Sequence, residues 1–272
     1  MDKNMTILED ILMHKSREVD DRKVLVPFHV LEKSQYFERQ PVSMRAALIH
    51  LEKSGIIAEI KRKSPSRGVI NSEISVAKVS TGYARAGASA ISVLTDTRFF
   101  GGSNEDLMSV RKMNECPILR KDFVIEEYQV VEAKSIGADA ILLIAAALEP
   151  LQIKKLCDFA HSLGLEVLLE VHNEKELAAN LDAGADMIGV NNRNLKTFEL
   201  NVDLSRKMAP AIPDSMVKVS ESGIESPDVI LDLKKHGFRG FLIGQTFMQA
   251  ENPELAAVDF ISQLNALERA RK

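Results

Sequence analysis

From residue 56 onward, short apolar runs alternate with longer stretches whose apolar positions recur at helical spacing. A short apolar run is typical of a buried strand, whereas apolar positions three and four residues apart are typical of a helix that packs by one face. The runs predict eight strands, at residues 57–60, 90–94, 118–120, 140–144, 167–170, 187–190, 217–219 and 241–243. The intervening stretches predict helices, among them 76–86, 127–136, 150–163, 174–183 and 227–236.

Residues 1–55 contain no such strand and are predicted to be helical. Ile7, Leu8 and Ile11 recur at helical spacing, with acidic residues early in the segment and basic residues later, as the helix dipole favours. Pro41 is predicted to occupy the first turn of a second helix, 42–53. A helical segment therefore precedes the first strand.

Eight strands, each followed by a helix, are the number that a closed parallel barrel needs. The segments 86–88, 136–138 and 183–185 repeat the pattern of a small or apolar residue, glycine and alanine, about 50 residues apart, which corresponds to two strand–helix units per repeat. An open doubly wound sheet would carry a glycine-rich phosphate loop after its first strand, and 64–68 is not such a loop. The sequence therefore predicts an α/β fold, a (β/α)8 TIM barrel, in which residues 1–272 form one domain and residues 1–55 its N-terminal helical extension.

Composition narrows the class of function. The 272 residues are 45% hydrophobic and 27% charged with a formal net charge of -4, which is typical of a globular protein. The chain has no long basic block, no tryptophan and only 5% aromatic residues, which argues against nucleic-acid binding. No apolar run approaches the roughly 20 residues that span a bilayer, and the N-terminus lacks the apolar core of a signal peptide. Cys116 and Cys157 have no metal-like spacing, so we expect a cytoplasmic protein.

Charged residues follow the predicted strands, at the end of a (β/α)8 barrel that carries the chemistry. Glu59 and Lys61 project to the same side of the first strand because side chains alternate. Taken alone, this pair is equally consistent with an ion pair at a strand terminus. The same arrangement recurs, however, and the charged residues at the strand ends are Glu59, Lys61, Lys121, Glu170, Arg193 and Glu221. Ionisable groups that converge in one cavity perturb one another's pKa values, as acid–base catalysis requires.

The last two strand-end loops predict a phosphate site. The pairs 222–223 and 244–245 each contain a glycine that lets backbone N–H groups approach an anion, in the loops where phosphate-binding barrels hold that group. Glycine pairs of this kind are often simple turns, so the argument depends on finding both after the seventh and eighth strands. Ser64 and Ser66 add hydroxyl donors, and the loop 95–102 carries aromatic residues that are suited to cover a ligand.

Other polar residues near the strand ends have simpler interpretations. His172 follows a strand, but no second histidine or cysteine lies at metal spacing, so a hydrogen-bonded structural role is favoured over a ligand role. Asp96 and Asp122 are interpreted as caps of the helices that follow them. Of Asn191 and Asn192, only one is expected to face the pocket, because consecutive strand residues alternate.

The motifs at seven of the eight strand ends resemble those of the indole-3-glycerol phosphate synthase family of tryptophan biosynthesis, in the same order along the chain. The segments that carry the resemblance are Ala58-Glu59-Ile60-Lys61-Arg62-Lys63-Ser64-Pro65-Ser66, Ser92-Val93-Leu94-Thr95, Leu119-Arg120-Lys121-Asp122-Phe123, Leu169-Glu170-Val171-His172, Gly189-Val190-Asn191-Asn192-Arg193-Asn194-Leu195, Ser220-Glu221-Ser222-Gly223-Ile224 and Phe241-Leu242-Ile243-Gly244. The resemblance implies a carboxy-lyase, a carbon–carbon lyase that turns 1-(2-carboxyphenylamino)-1-deoxyribulose 5-phosphate into indole-3-glycerol phosphate, carbon dioxide and water.

The resemblance also implies roles for individual residues. Lys121 is the implied general acid and Glu170 the implied general base, with Lys61 near the substrate carboxylate. The other implied site residues are Glu59 and Asn191 in the catalytic polar network, Arg193, Glu221 and Ser222 at the substrate, and Ser64, Gly223, Gly244 and Gln245 at the phosphate. Gln245 stands where relatives often carry serine or glutamate, which leaves its backbone N–H as the expected contact.

The family implies no cofactor and no metal, and its monofunctional form has no second barrel. We accordingly expect a monomer or weak homodimer whose partner is a phosphorylated small molecule, with neither nucleic acid nor membrane bound. Two other functions remain open. A Schiff-base aldolase would use Lys61 or Lys121 as a nucleophile. A catalytically silent sugar-phosphate binding protein would be expected to lose part of the acid–base set, all of which is present.

Overall fold

The structure, a computed structural model, describes residues 6–271 and contains a closed barrel of eight parallel strands. The barrel strands are β1 (Ile56–Ile60), β4 (Ala90–Leu94), β5 (Ile118–Lys121), β6 (Ala140–Ile144), β7 (Glu166–Val171), β8 (Met187–Asn191), β9 (Val217–Glu221) and β10 (Phe238–Ile243). Around the barrel they follow one another in chain order, with β1 closing the ring between β10 and β4. The predicted (β/α)8 barrel is therefore confirmed.

Helices precede the barrel and cover its outer face. They are α1 (Ile7–Leu25), α2 (Phe28–Leu31), α3 (Met44–Ile49), α4 (Val76–Ala86), α5 (Thr97–Phe100), α6 (Asn104–Met113), α7 (Glu127–Ser135), α8 (Pro150–Ser162), α9 (Glu174–Asn180), α10 (Asp203–Met208), α11 (Pro227–Lys235), α12 (Gln245–Met248) and α13 (Pro253–Ala270). Between residues 6 and 271 no helix is both long enough and apolar enough to cross a membrane.

Strand alternation divides the core into two layers. Ile56, Ala58 and Ile60 of β1 belong to the larger apolar cluster, which also contains the buried faces of the surrounding helices. Ile57 of the same strand belongs to the cluster inside the barrel, together with Leu142, Leu168 and Leu242 from other strands. Met44 and Leu48 of α3 join this inner cluster and close the amino-terminal end of the barrel. The carboxyl-terminal end is left for polar side chains.

Before the second barrel strand, one local prediction was wrong and one local element was not predicted. The helix predicted at 42–53 is shorter, because the Ser43 hydroxyl accepts a hydrogen bond from the backbone N–H of Ala46 and starts α3 at Met44. It ends at Ile49, and Leu51 beyond it is fully exposed, so no apolar contact extends the helix. The segment after β1 also forms an unpredicted two-stranded hairpin, β2 (Lys63–Ser64) and β3 (Gly68–Val69).

The glycine repeat has the predicted conformation. Gly87 ends α4 with φ of 99°, and Gly137 follows α7 with φ of 92°, a left-handed region in which a side chain is disfavoured. Each of these turns returns the chain to the next strand, β4 or β6. The single-domain prediction for residues 1–272 includes residues 1–5 and 272, which lie outside the described residues, and it stays a prediction.

Candidate active site

A cavity of about 180 Å³ opens at the carboxyl-terminal ends of the barrel strands. All twelve candidate residues line it: Glu59, Lys61, Ser64, Lys121, Glu170, Asn191, Arg193, Glu221, Ser222, Gly223, Gly244 and Gln245. They come from five barrel strands and from the segments that follow barrel strands, so residues distant in sequence surround one space. The sequence thus predicted which side chains meet, although their chemical roles remain a prediction.

Lys121 forms the centre of the acid–base cluster. It is the last residue of β5, and its Nζ lies 2.8 Å from Oε2 of Glu170 on β7 and 3.2 Å from Oε2 of Glu221 on β9. Both carboxylates are almost fully buried, while the Lys121 side chain keeps 14% of its surface exposed to the cavity. One ammonium group therefore bridges two carboxylates across the mouth of the barrel.

The pKa values of this cluster diverge. Burial alone would lower the pKa of Lys121, but the carboxylates of Glu170, Glu221 and Glu59 outweigh burial and raise it well above its usual value. Burial would raise the pKa of Glu170, yet the Lys121 ammonium and His172 hold it well below its ordinary range. Burial, with repulsion from Glu170 and Glu59, raises the pKa of Glu221 to about 7 against the attraction of Lys121. At neutral pH the cluster therefore holds an acid in Lys121 and an ionised carboxylate in Glu170.

The second lysine lies beside its own carboxylate. Lys61 Nζ donates a hydrogen bond to Oε1 of Glu59, and the Glu59 side chain is 3% exposed. Gly244 makes room for this carboxylate, because a Cβ at residue 244 would lie 2.4 Å from Oε1 of Glu59. Lys61 keeps 19% of its side chain exposed at the cavity, so its charge is available to a bound anion.

Another glycine makes room for Glu221. In the pairing of β7 with β8, Gly189 stands opposite Glu170, and a Cβ at residue 189 would lie 2.1 Å from Oε1 of Glu221. The sequence interpretation took Gly189 only as part of a motif. Gly189 leaves room for a buried carboxylate that belongs to a neighbouring strand. A local sequence pattern does not show which side chain of the next strand lies there.

Asn191 and Arg193 form the polar wall after β8. The Asn191 side chain accepts a hydrogen bond from the backbone N–H of Arg193 at 3.0 Å. The Arg193 guanidinium donates to the carbonyl of Phe198 at 3.2 Å and to Oε1 of Gln245 at 3.3 Å. Asn192 is buried away from the cavity and donates to Ser220, so the prediction that only one asparagine faces the pocket is confirmed. The Gln245 side chain has a contact that the sequence did not suggest.

The residues of the predicted phosphate site all line the cavity, in the segments that follow the neighbouring barrel strands β9, β10 and β1. Ser222 has φ of 68° and Gly223 has φ of 75°, which turns the backbone sharply after β9. Gly244 precedes α12, and Gln245 is its first residue. Ser64, on β2, contributes a hydroxyl that lies 3.3 Å from that of Ser66. This part of the cavity, referred to as the phosphate side, therefore contains hydroxyl groups and backbone that can approach a ligand closely.

Apolar side chains form the opposite wall. Phe100 and Phe123 line the cavity with their ring centroids 5.9 Å apart. Phe100 belongs to the loop 95–102, and its covering of a ligand stays a prediction. Ile7, Leu8 and Ile11 of α1 complete the wall. The helical spacing of these three residues was predicted from the sequence, but nothing in it indicated that their apolar face lines the cavity.

A buried lysine fastens α1 to the rim of the barrel. The Lys15 side chain is 1% exposed, and its Nζ lies 2.9 Å from Asp122 Oδ1 and 3.0 Å from both Asp96 Oδ2 and Glu18 Oε2. Asp96 also caps α5, as predicted. The same prediction for Asp122 was wrong, because Glu126 occupies the cap position of α7 while Asp122 binds Lys15. Asp122 directly follows Lys121, so this ion pair joins α1 to the strand that carries the central lysine.

Comparison with known proteins gives one consistent family. The model of the indole-3-glycerol phosphate synthase family matches residues 8–260. A protein of that name from Bacteroides thetaiotaomicron is 46% identical over 258 residues, covering 95% of this chain and 98% of its own length. Its counterpart from Caldanaerobacter subterraneus is 43% identical, covering 90% of this chain and 94% of its own.

The structural neighbours are more distant in sequence. The thiamine phosphate pyrophosphorylase of Pyrococcus furiosus aligns with a TM-score of 0.58 at 16% identity, covering 82% of this chain and 99% of its own. At that identity the likeness shows the barrel fold alone.

Proposed function

The chain belongs to the indole-3-glycerol phosphate synthase family, and we propose that Lys121 is the general acid and Glu170 the general base of its reaction. The activity is that of a carboxy-lyase of tryptophan biosynthesis that acts on a phosphorylated small molecule. The substrate 1-(2-carboxyphenylamino)-1-deoxyribulose 5-phosphate closes to indole-3-glycerol phosphate with loss of carbon dioxide and water. The observation that carries the assignment of roles is the Lys121 ammonium bridging Glu170 and Glu221 inside the cavity.

Ring closure suits a protonated lysine. The aromatic carbon that bears the carboxylate attacks the ketone of the sugar, and negative charge develops on the ketone oxygen. The Lys121 ammonium stabilises that charge and donates a proton to the oxygen. The raised pKa of Lys121 supports this acid role over that of a Schiff-base nucleophile, which requires a neutral amine.

Loss of carbon dioxide and water completes the indole. Lys61 is a cation within reach of a substrate carboxylate, and Glu59 holds it at the cavity wall. After decarboxylation the hydroxyl that was the ketone oxygen takes a proton from an acid and leaves as water, and Glu170 is the base that removes the proton lost from the adjacent carbon of the new five-membered ring. Asn191 orients the polar wall by binding the backbone of Arg193.

The remaining residues bind the substrate. Arg193, Glu221 and Ser222 also line the cavity, and we assign them to substrate binding. The backbone turns at Gly223 and Gly244, with Ser64 and Gln245, hold the phosphate through N–H and hydroxyl donors, an arrangement that suits an anion. The apolar wall receives the aromatic ring of the substrate.

We further propose a cytoplasmic protein that acts as a monomer or weak homodimer. Both cysteines, Cys116 and Cys157, are free thiols, which suits a reducing compartment. All the candidate residues line one cavity within a single chain, which supports a monomer as the active form. Size-exclusion chromatography with light scattering at micromolar concentration measures the oligomeric state, and a stable tetramer would contradict the proposed monomer or weak homodimer.

The roles of Lys121 and Glu170 are tested by Lys121→Met and Glu170→Gln. General acid–base catalysis contributes about 10²- to 10⁴-fold, so we expect kcat to fall by about 10²- to 10⁴-fold in each variant. Binding of inorganic phosphate, followed by calorimetry, should stay within about twofold, because neither residue belongs to the phosphate side.

The matched control is Lys218→Met. Lys218 is also a buried strand lysine, but its Nζ binds the carbonyl of Ala209 and it does not line the cavity. This variant should lose stability and keep its turnover. Near-normal kcat in both Lys121→Met and Glu170→Gln would refute the assigned roles.

A further inference from the structure

His172 contacts the proposed general base from the side opposite Lys121. It follows β7, two residues after Glu170, so alternation places both side chains on the same side of the strand. Its Nε2 lies 3.2 Å from Oε1 of Glu170, whereas Lys121 contacts Oε2. Each oxygen of the Glu170 carboxylate therefore has its own basic neighbour.

A second carboxylate fixes His172 from behind. Nδ1 of His172 lies 3.4 Å from Oε2 of Glu176, on α9, and the same oxygen accepts the backbone N–H of His172 at 2.7 Å. Glu176 is itself held by Asn173, which donates to Oε1 at 2.6 Å and accepts the Glu176 backbone N–H at 2.9 Å. The imidazole thus lies between two carboxylates of fixed position.

The ring is buried and makes ion-pair contacts. The His172 side chain is 8% exposed. Within residues 6–271 neither ring nitrogen has a partner in hydrogen-bond alignment, so charge attraction holds the ring between the carboxylates. A buried imidazole enclosed in this way has no role in the proposed proton transfers. Because burial of a polar ring costs free energy of desolvation, its position here indicates a function other than proton transfer.

We propose that His172 is a positioning residue for the general base. It holds Oε1 of Glu170, so that Oε2 stays directed at Lys121 and at the substrate, while Glu176 fixes the imidazole. This inference rests on the proposed role of Glu170 as base, and it extends that role to a Glu176–His172–Glu170 series.

Electrostatics agree with the geometry. Burial would lower the pKa of His172, but Glu170 and Glu176 outweigh burial and raise it to about 9. The imidazolium in turn contributes to the lowered pKa of Glu170, whose other charged neighbours are Lys121 from β5 and, across Lys121, Glu221 from β9. Glu170 therefore keeps its imidazolium partner up to about pH 9 and loses its attraction above that pH.

The kinetic test compares His172→Gln and His172→Phe with the wild type. Glutamine keeps a polar side chain but has no positive charge. Phenylalanine keeps a ring but has neither the polar group nor the charge. Misplacement of a catalytic group costs up to about a hundredfold, so we expect kcat to fall about tenfold with glutamine and up to about a hundredfold with phenylalanine, with KM within about twofold. The decrease of the wild-type kcat above about pH 9 should be absent in both variants.

The matched control is His161→Gln. His161 also pairs with a carboxylate, at 2.9 Å from Asp186, but it lies on α8 away from the cavity and is 40% exposed. It should leave kcat and its pH profile unchanged. Wild-type kcat and an unchanged limb near pH 9 in both His172 variants would overturn the proposal.

A spectroscopic measurement keeps the proposal testable if a His172 variant fails to fold. In the full-length protein, the imidazole resonance of His172 followed by NMR should titrate near pH 9, and both Glu170→Gln and Glu176→Gln should lower that midpoint. An unchanged midpoint in both variants would refute the series. An inactive Glu170→Gln with unaffected His172 variants refutes only the positioning role, whereas a fully active Glu170→Gln refutes the base assignment and this inference with it.

Discussion

Replacing Lys15 by methionine removes the buried cation that joins α1 to the rim of the barrel. The Lys15 ammonium contacts Asp96, Asp122 and Glu18 within 3.0 Å, and its side chain is 1% exposed. Methionine has a similar length and no charge. The variant therefore leaves Asp96 and Asp122, both fully buried, without their shared partner.

The loss of stability in Lys15→Met depends on the partners that Asp96 and Asp122 keep after the substitution. Removing one member of a buried ion pair destabilises a protein by about 3–5 kcal/mol. Asp122 keeps Arg120 at 3.3 Å and the hydroxyl of Thr95 at 2.6 Å. Asp96 keeps the backbone N–H groups that it caps in α5. We therefore expect the lower end of this range, about 3 kcal/mol.

Urea unfolding measures this loss. With an m-value of about 3 kcal/mol/M, the midpoint should fall by about 1 M. The matched control is Lys23→Met, which removes another ion pair between α1 and the barrel, Lys23 with Glu126 at 2.6 Å. Lys23 is 35% exposed, so its pair contributes less than about 1 kcal/mol and the midpoint should move by at most about 0.3 M.

The pH dependence has a defined sign. Burial opposes the charge on both partners, but their mutual attraction raises the pKa of Lys15 and lowers the pKa of Asp122. The stability that the pair provides is present above the unfolded aspartate pKa of about 4 and below the unfolded lysine pKa of about 10.5. It is lost as the pH falls through the lowered pKa of Asp122. A Lys15→Met midpoint equal to that of Lys23→Met at pH 7 would refute the reasoning.

Two further substitutions test the packing and the charges of the site. Gly189→Ala brings a Cβ to 2.1 Å from Oε1 of Glu221, so the carboxylate must move from Lys121, and steady-state kcat should fall by about tenfold or more; an unchanged kcat would contradict the close approach. Glu221→Gln should remove a pH-dependent loss of stability, because a carboxyl whose pKa rises from 4.5 to about 7 on folding makes the folded state less stable as the pH rises through that interval. The thermal midpoint of the variant relative to the wild type should rise between pH 5 and pH 8, by on the order of 2 kcal/mol in stability, and a constant difference would contradict the assignment.

The sequence was sufficient to predict the barrel and the polar candidate residues that line the cavity. In a parallel barrel, side chains alternate along each strand and catalytic residues lie at the carboxyl ends of the strands. These two rules were enough to predict that Glu59, Lys121 and Glu170 lie close together. These residues were found because each one follows a short apolar run whose direction is fixed by the fold.

Features that depend on contacts between distant elements could not be predicted from the sequence. Lys15 and Lys23 are both lysines among charged residues on α1, and only tertiary packing buries the first and exposes the second. Gly189 has its function through a side chain on the neighbouring strand. His172 was interpreted from the absence of metal spacing, which says nothing of the carboxylate that α9 places behind its ring.

The most direct test of the account is the formation of indole-3-glycerol phosphate by the purified chain, followed by indole fluorescence with 1-(2-carboxyphenylamino)-1-deoxyribulose 5-phosphate as substrate. We expect one carbon dioxide released for each indole formed by the wild type, and product formation at least about a hundredfold slower from Glu170→Gln at equal phosphate affinity. Bound substrate without indole product in the wild type, or equal product from Glu170→Gln, would contradict it.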